Sequence, residues 1–159
     1  MMTEYPRLTV TFMIEHDYKF LLVSRNNNEE NFPNLWAFPG GKAELYETVV
    51  HTIKREVKEE TGLLLKDDVI FLDTYTFDKS VGITFLVRAL SNEVKLCDEL
   101  TSYKWVSSTN DLKNLRCIPG IYNHLITAFK KLRENNFDSL EAINLTEDKY
   151  LNKDSGELS

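Results

Sequence analysis

Cysteine, glycine and proline are all scarce in this chain: two, six and four in 159 residues. The two thiols, Cys97 and Cys117, have no metal-ligand spacing and support no disulfide framework. That points to a reducing, cytoplasmic compartment. With no nucleophile context around them, both cysteines are expected as small buried apolar residues. No apolar run approaches the ~18–20 residues a membrane helix needs. The opening MMTEYPRLTV lacks the basic-then-apolar pattern of a signal peptide. Positive charge is also in short supply, with 19 Lys and Arg against 25 Asp and Glu and a net charge of −6. This argues against a large nucleic-acid surface and against an RNA-holding role. It leaves room for a small anionic substrate, provided a divalent cation screens the site. There is no internal repeat and no low-complexity linker. What is present, 42% hydrophobic and 28% charged residues, suits one globular domain with a sizeable core, as a monomer or a homodimer.

Strand patterns come first along the chain. Residues 8–15 (LTVTFMIE) and 18–24 (YKFLLVS) are rich in β-branched and apolar types and read as a hairpin around His16-Asp17. Residues 25–34 are polar and read as a loop. A short apolar piece, residues 35–38, ends at Pro39-Gly40-Gly41, read as a tight turn that leaves backbone groups uncovered. Residues 69–77 and 81–90 read as two more strands and 103–106 as a short one. Residues 111–115 read as one helical turn. After Ile118-Pro119-Gly120, Ile121, Leu125, Phe129 and Leu132 line one face of a helix. Strands and helices mix along the chain, which predicts an α/β or α+β domain with a mixed sheet between two helices. The domain is placed at residues 1–135. The acidic tail, 136–159, has Leu140, Ile143, Leu145 and Tyr150 as a face that could dock on it.

Chemistry concentrates in residues 38–63, FPGGKAELYETVVHTIKREVKEETGL. Thr48 fits an N-cap and Gly62 a C-terminus. Val49, Ile53 and Val57 form an apolar stripe, with Val50 beside it. Glu56, Glu59 and Glu60 share another side, roughly 80° from the stripe. Three carboxylates in the last turns oppose the helix dipole, and each like-charge neighbour costs roughly 0.2–0.5 kcal/mol. A run such as EVKEE is by itself most often a solvated face. Here it follows a Gly-Gly pair, Lys42, Glu44, Glu47 and Arg55, and that conjunction points to a bound cation. Oxygen ligands select Mg²⁺ or Mn²⁺, which bind through a few carboxylates plus substrate phosphates. Lys42 could meet a phosphate as a point charge, and Arg55 could orient a carboxylate bidentately.

These residues resemble the Nudix hydrolase signature, G-x5-E-x7-R-E-U-x-E-E-x-G-U with U aliphatic. Every fixed position is met, by Gly41, Glu47, Arg55, Glu56, Val57, Glu59, Glu60, Gly62 and Leu63. The likeness extends over residues 8–133. One departure is Thr52-Ile53, where members often carry two small residues. The resemblance implies a Nudix-type α/β/α sandwich. It implies that Glu56, Glu59 and Glu60, with the Gly40 carbonyl, bind the divalent ions, and that Glu47 and Arg55 organise loop and helix. It also implies a further acidic residue, Glu99 or its neighbour Asp98, and a general base among Glu56, Glu59 and Glu99. Lys42 would assist the leaving phosphate.

The implied reaction is water attack on the pyrophosphate linkage of a nucleoside diphosphate joined to another group. Arg25, Phe38 and Asn123 are candidate substrate contacts. Each has a plainer reading, as surface arginine, core aromatic and helix-start amide. His51 and His124 are expected on helix surfaces. No Pro follows the box at the spacing of ADP-ribose pyrophosphatases, and no Tyr at that of dinucleoside polyphosphate hydrolases. The remaining reading is MutT-like: a (deoxy)nucleoside triphosphate, ordinary or oxidised, cleaved to monophosphate and pyrophosphate. An ADP-ribose or nucleotide-sugar pyrophosphatase and a non-catalytic nucleotide sensor are the alternatives.

Overall fold

The computed structural model describes residues 7–25, 34–77 and 79–134, and the backbone of 142–144. In chain order it has strands β1 (Arg7–His16), β2 (Lys19–Arg25), β3 (Trp36–Ala37) and β4 (Gly40–Lys42), then helix α1 (Val49–Thr61). Strands β5 (Leu65–Phe77), β6 (Ser80–Ala89) and β7 (Leu100–Val106) follow. A 3-10 turn (Thr109–Leu112), helix α2 (Ile121–Glu134) and strand β8 (Ala142–Asn144) complete it.

The strands form one mixed sheet in the order β3-β2-β1-β6-β5-β8, with β4 on β1 and β7 on β2. β1 and β6 run parallel, and the other pairs are antiparallel. The β1–β2 turn uses Asp17 and Tyr18 at positive φ, 49° and 60°, the twist-compatible geometry of a tight hairpin. β1 and β2 pair only at Glu15↔Phe20 and His16↔Lys19. Beyond that point β4 takes the edge of β1, with Thr11↔Gly40 and Val10↔Gly41 in register. The segment expected as a glycine turn is thus a short strand in the fork between β1 and β2.

Strand alternation builds two cores. Val10, Phe12, Ile14, Leu21 and Val23 pack with Ile53 and Val57 of α1. Met13, Phe20 and Leu22 pack with Ile121, Leu125, Ala128 and Leu132 of α2. With a helix on each face, the sheet is the middle layer of an α/β/α sandwich. Thr48 caps α1, its Oγ1 accepting from His51 N–H at 3.2 Å. Gly62 ends it at φ 70°, donating its N–H to the Lys58 carbonyl at 2.9 Å. Both cysteines are half-buried, less enclosed than the sequence suggested. β8 pairs with β5 through Val69↔Ile143. Leu140, Leu145 and Tyr150 lie outside the described residues. No described helix is long and apolar enough to cross a membrane.

Candidate active site

The second half of α1 faces the β4 fork, and Arg55 is the hub between them. Its Nε donates to Glu47 Oε2 at 2.6 Å and its Nη2 to Glu47 Oε1 at 2.8 Å, a bidentate pair. Nη1 donates to Glu56 Oε1 at 2.9 Å and Glu59 Oε2 at 3.2 Å. Nη2 also meets the Lys42 carbonyl at 3.2 Å, which ties the helix to the end of β4. Glu47 is 11% exposed and Arg55 24%. The Arg55 pair holds the Glu47 carboxyl down at about 2, helped by the Glu44 N–H at 3.0 Å and Thr52 Oγ1 at 2.8 Å. Thr52, fully buried, is therefore part of the clamp. The sequence marked it only as a departure from small residues.

Gly40 and Gly41 have ordinary negative-side backbone; among the described residues the positive-φ glycines are Gly62 and Gly120. Their role is close approach instead of turning. An added Cβ on Gly41 would overlap the Glu56 carboxyl group, and one on Gly40 would lie 2.7 Å from the Val10 carbonyl oxygen. Glu60 enters the same fork and accepts from Gly40 N–H at 3.3 Å. Burial, then the charge of Glu56, push the Glu60 carboxyl up to about 8. Burial also raises Glu56. Arg25 lowers Glu60 and Glu99 raises it, so both stand within electrostatic reach. Arg25 is half-buried at the end of β2, and Glu99 is exposed just before β7.

One guanidinium thus serves Glu47, Glu56 and Glu59, while Glu60 lies beyond its hydrogen bonds. The donors are all oxygens, and their mutual repulsion would be relieved by a hard divalent cation. The residues fit such an ion. Among the described residues, no three His, Cys, Asp or Glu side chains already stand as a coordination cage.

One candidate contact, Phe38, is placed differently from expectation. Phe38 is 5% exposed in the α2-side core, so it packs under the sheet and flanks no base. Asn123 is exposed. Its neighbour His124, expected on the surface, is half-buried and turns to the sheet, 3.4 Å from Asp73. Lys42 is exposed at the mouth of the fork.

Comparison with known proteins agrees with this geometry. A NUDIX domain model matches residues 5–116. An ADP-ribose pyrophosphatase of Methanocaldococcus jannaschii is 34% identical over 116 residues, 70% of this chain and 65% of that protein. The chain thus spans just under two thirds of that relative. Nucleoside triphosphatase NudI of Escherichia coli is 31% identical over 114 residues, 63% of this chain and 81% of that protein. In fold, a MutT protein from Methanosarcina mazei superposes with a TM-score of 0.64 at 24% identity, over 84% of this chain and all of that one (100%). A Nudix hydrolase from Nitrosomonas europaea reaches 0.72 at 19% identity, over 85% and 76%. On the complete box, the sandwich that presents it and these relatives, the chain belongs to the Nudix hydrolase family.

Proposed function

We propose that this chain hydrolyses a nucleoside triphosphate, (deoxy) and ordinary or oxidised, to the monophosphate and pyrophosphate, with Mg²⁺ or Mn²⁺ as cofactor. The supporting observation is the carboxylate cluster of α1, with Glu56 and Glu59 held by Arg55 and Glu60 by the Gly40 N–H. Glu56, Glu59, Glu60 and the Gly40 carbonyl are the groups to hold the ion. Bound there, a divalent ion supplies charge neutralisation on the phosphates and an acidified water. Arg55 fixes the directions of Glu56 and Glu59, and Glu47 fixes Arg55. Gly40 N–H holds Glu60 in the fork. One of Glu56, Glu59 and Glu99 takes the proton of the attacking water. Water oxygen bonds to phosphorus as the bridging P–O bond breaks, and the pyrophosphate oxygen leaves with Lys42 and Arg25 beside it. The site residues so described lie within residues 1–135, which we take as the catalytic domain.

A second reading has ADP-ribose or a nucleotide sugar in the same site. Its support is the 34% identical relative named ADP-ribose pyrophosphatase. A panel of nucleoside triphosphates, ADP-ribose and nucleotide sugars, with Mg²⁺ and Mn²⁺, separates the two by product. Pyrophosphate release from triphosphates supports the first reading. Two monophosphates from ADP-ribose alone would replace it with the second. Metal binding with no turnover of any member would favour a nucleotide sensor.

A further inference from the structure

Thr52 sits one turn ahead of the carboxylates of α1, and its hydroxyl bonds beyond the helix. Thr52, Arg55, Glu56 and Glu59 are spaced i, i+3, i+4 and i+7, so they follow one another along one side of α1. Threonines inside helices commonly bond the carbonyl four residues back. Thr61, at the other end of α1, does this, donating from Oγ1 to the Val57 carbonyl at 2.6 Å. Thr52 Oγ1 has the same kind of partner, the Thr48 carbonyl at 3.0 Å, and also a closer one, Glu47 Oε1 at 2.8 Å. A hydroxyl has one proton to give. The Thr48 carbonyl already accepts the Thr52 N–H at 2.9 Å. The carboxylate is the charged acceptor and makes the stronger bond, so the proton goes to Glu47.

That bond matters because of what Glu47 holds. Its carboxylate meets Arg55 Nε on Oε2, and Arg55 Nη2, the Glu44 N–H and the Thr52 hydroxyl on Oε1. The terminal torsion of a glutamate is soft, so the plane of this carboxylate is set by its donors. Thr52 is the donor with no solvent exposure, and water does not compete for its bond. The planar guanidinium of Arg55 follows the carboxylate plane through its bidentate pair. Its remaining nitrogen, Nη1, then meets Glu56 Oε1 and Glu59 Oε2 at 2.9 and 3.2 Å. A tilt of Glu47 is thereby passed on to two of the carboxylates proposed to hold the ion.

We propose that Thr52 is a positioning residue of this hydrolase, its hydroxyl orienting Glu56 and Glu59 for the divalent ion through Glu47 and Arg55. This rests on the reading that those carboxylates hold the ion. Three substitutions separate the hydroxyl from the packing. Thr52→Val keeps the volume and loses the hydroxyl, Thr52→Ser keeps the hydroxyl and loses the methyl, and Thr52→Ala loses both. The first readout needs no turnover: the Mn²⁺ dissociation constant, from the electron paramagnetic resonance signal of free Mn²⁺ in the absence of nucleotide. The second is kcat and KM for whichever nucleotide the panel above turns over. Thr52→Val and Thr52→Ala are expected to weaken Mn²⁺ binding and lower kcat about tenfold, the low end for groups that orient metal ligands. KM should change little, as for an interaction that serves the transition state. Thr52→Ser should stay near the wild type in both readouts. The opposite order of Mn²⁺ affinities, with Thr52→Val like the wild type and Thr52→Ser like Thr52→Ala, would make Thr52 a packing residue and overturns the proposal. Equal Mn²⁺ affinity in all four proteins overturns it as well. Should Thr52→Val not fold, Thr52→Ser against Thr52→Ala makes the same decision. A wild-type protein that binds Mn²⁺, with variants in the expected order, but cleaves no nucleotide overturns the catalytic reading alone. A wild-type protein that binds no Mn²⁺ overturns both.

Discussion

Glu60 sits where a carboxylate is least stable as an anion, in a fork between strands, beside Glu56, with one backbone N–H for company. The unfolded chain releases this proton near 4.5 and the folded protein near 8. Between those values the folded state holds a proton that the unfolded state has lost. The contribution to stability is therefore complete below 4.5 and is lost as pH rises through 8. The melting temperature of metal-free protein is expected to fall from pH 5 to pH 9, and Glu60→Gln should flatten that slope. Mg²⁺ binding near pH 7 should release a proton, readable by calorimetry in buffers of different ionisation enthalpy. Glu47 behaves in the opposite sense. Its carboxyl is held down at about 2 by Arg55, so its stabilisation is present above 4.5 and disappears as pH falls through 2. Glu47→Gln should cost about 1.5–3 kcal/mol at neutral pH, the range for hydrogen bonds to charged groups. The cost should shrink in acid denaturation below pH 4. For turnover, Glu59→Gln or Glu60→Gln is expected to lower kcat at least about 100-fold while the far-ultraviolet circular dichroism stays unchanged. Full activity in the double variant, or without divalent metal, would sink the proposed mechanism.

At the scale of elements, α1 and β4 act as one unit. The helix was legible because its cap, stripe and C-terminal glycine are local signals with a period of 3.6. The function of Gly40 and Gly41 was not, because a glycine pair reads as a turn unless the opposing chain is known. Here the opposing groups are the Glu56 carboxyl and the Val10 carbonyl, which come from other elements. Gly41→Ala must displace the Glu56 side chain, whose Oε1 accepts from Arg55. It is expected to destabilise the fold by about 1–3 kcal/mol, the usual cost of overpacking, and to lower kcat more than it raises KM. Chemical denaturation and steady-state kinetics on the same preparation check both halves. A variant with normal stability and normal kcat would mean the close approach is not needed.

For the whole molecule, the sheet order leaves β5 to be covered at its outer edge by β8. An uncovered strand edge invites pairing with other chains. Truncation after Glu134 is expected to lower the melting temperature and raise concentration-dependent aggregation, read by light scattering. Equal behaviour of truncated and full-length protein would show that β8 adds nothing to the sheet.

The sequence by itself determined α1, its caps and the shared direction of Glu56, Glu59 and Glu60, because covalent spacing on a helix sets direction without help from other segments. It also determined the two-helix, mixed-sheet class, whereas the pairing of Glu47 with Arg55 entered only as what the resemblance of the box to the Nudix signature implies. Tertiary structure alone decided that Phe38 is core, that His124 and not Asn123 turns to the sheet, and that Asp73 and Tyr75 face α2. Those outcomes depend on which chain lies opposite and in what register. A single bulged residue in β5 reverses the faces that alternation assigns.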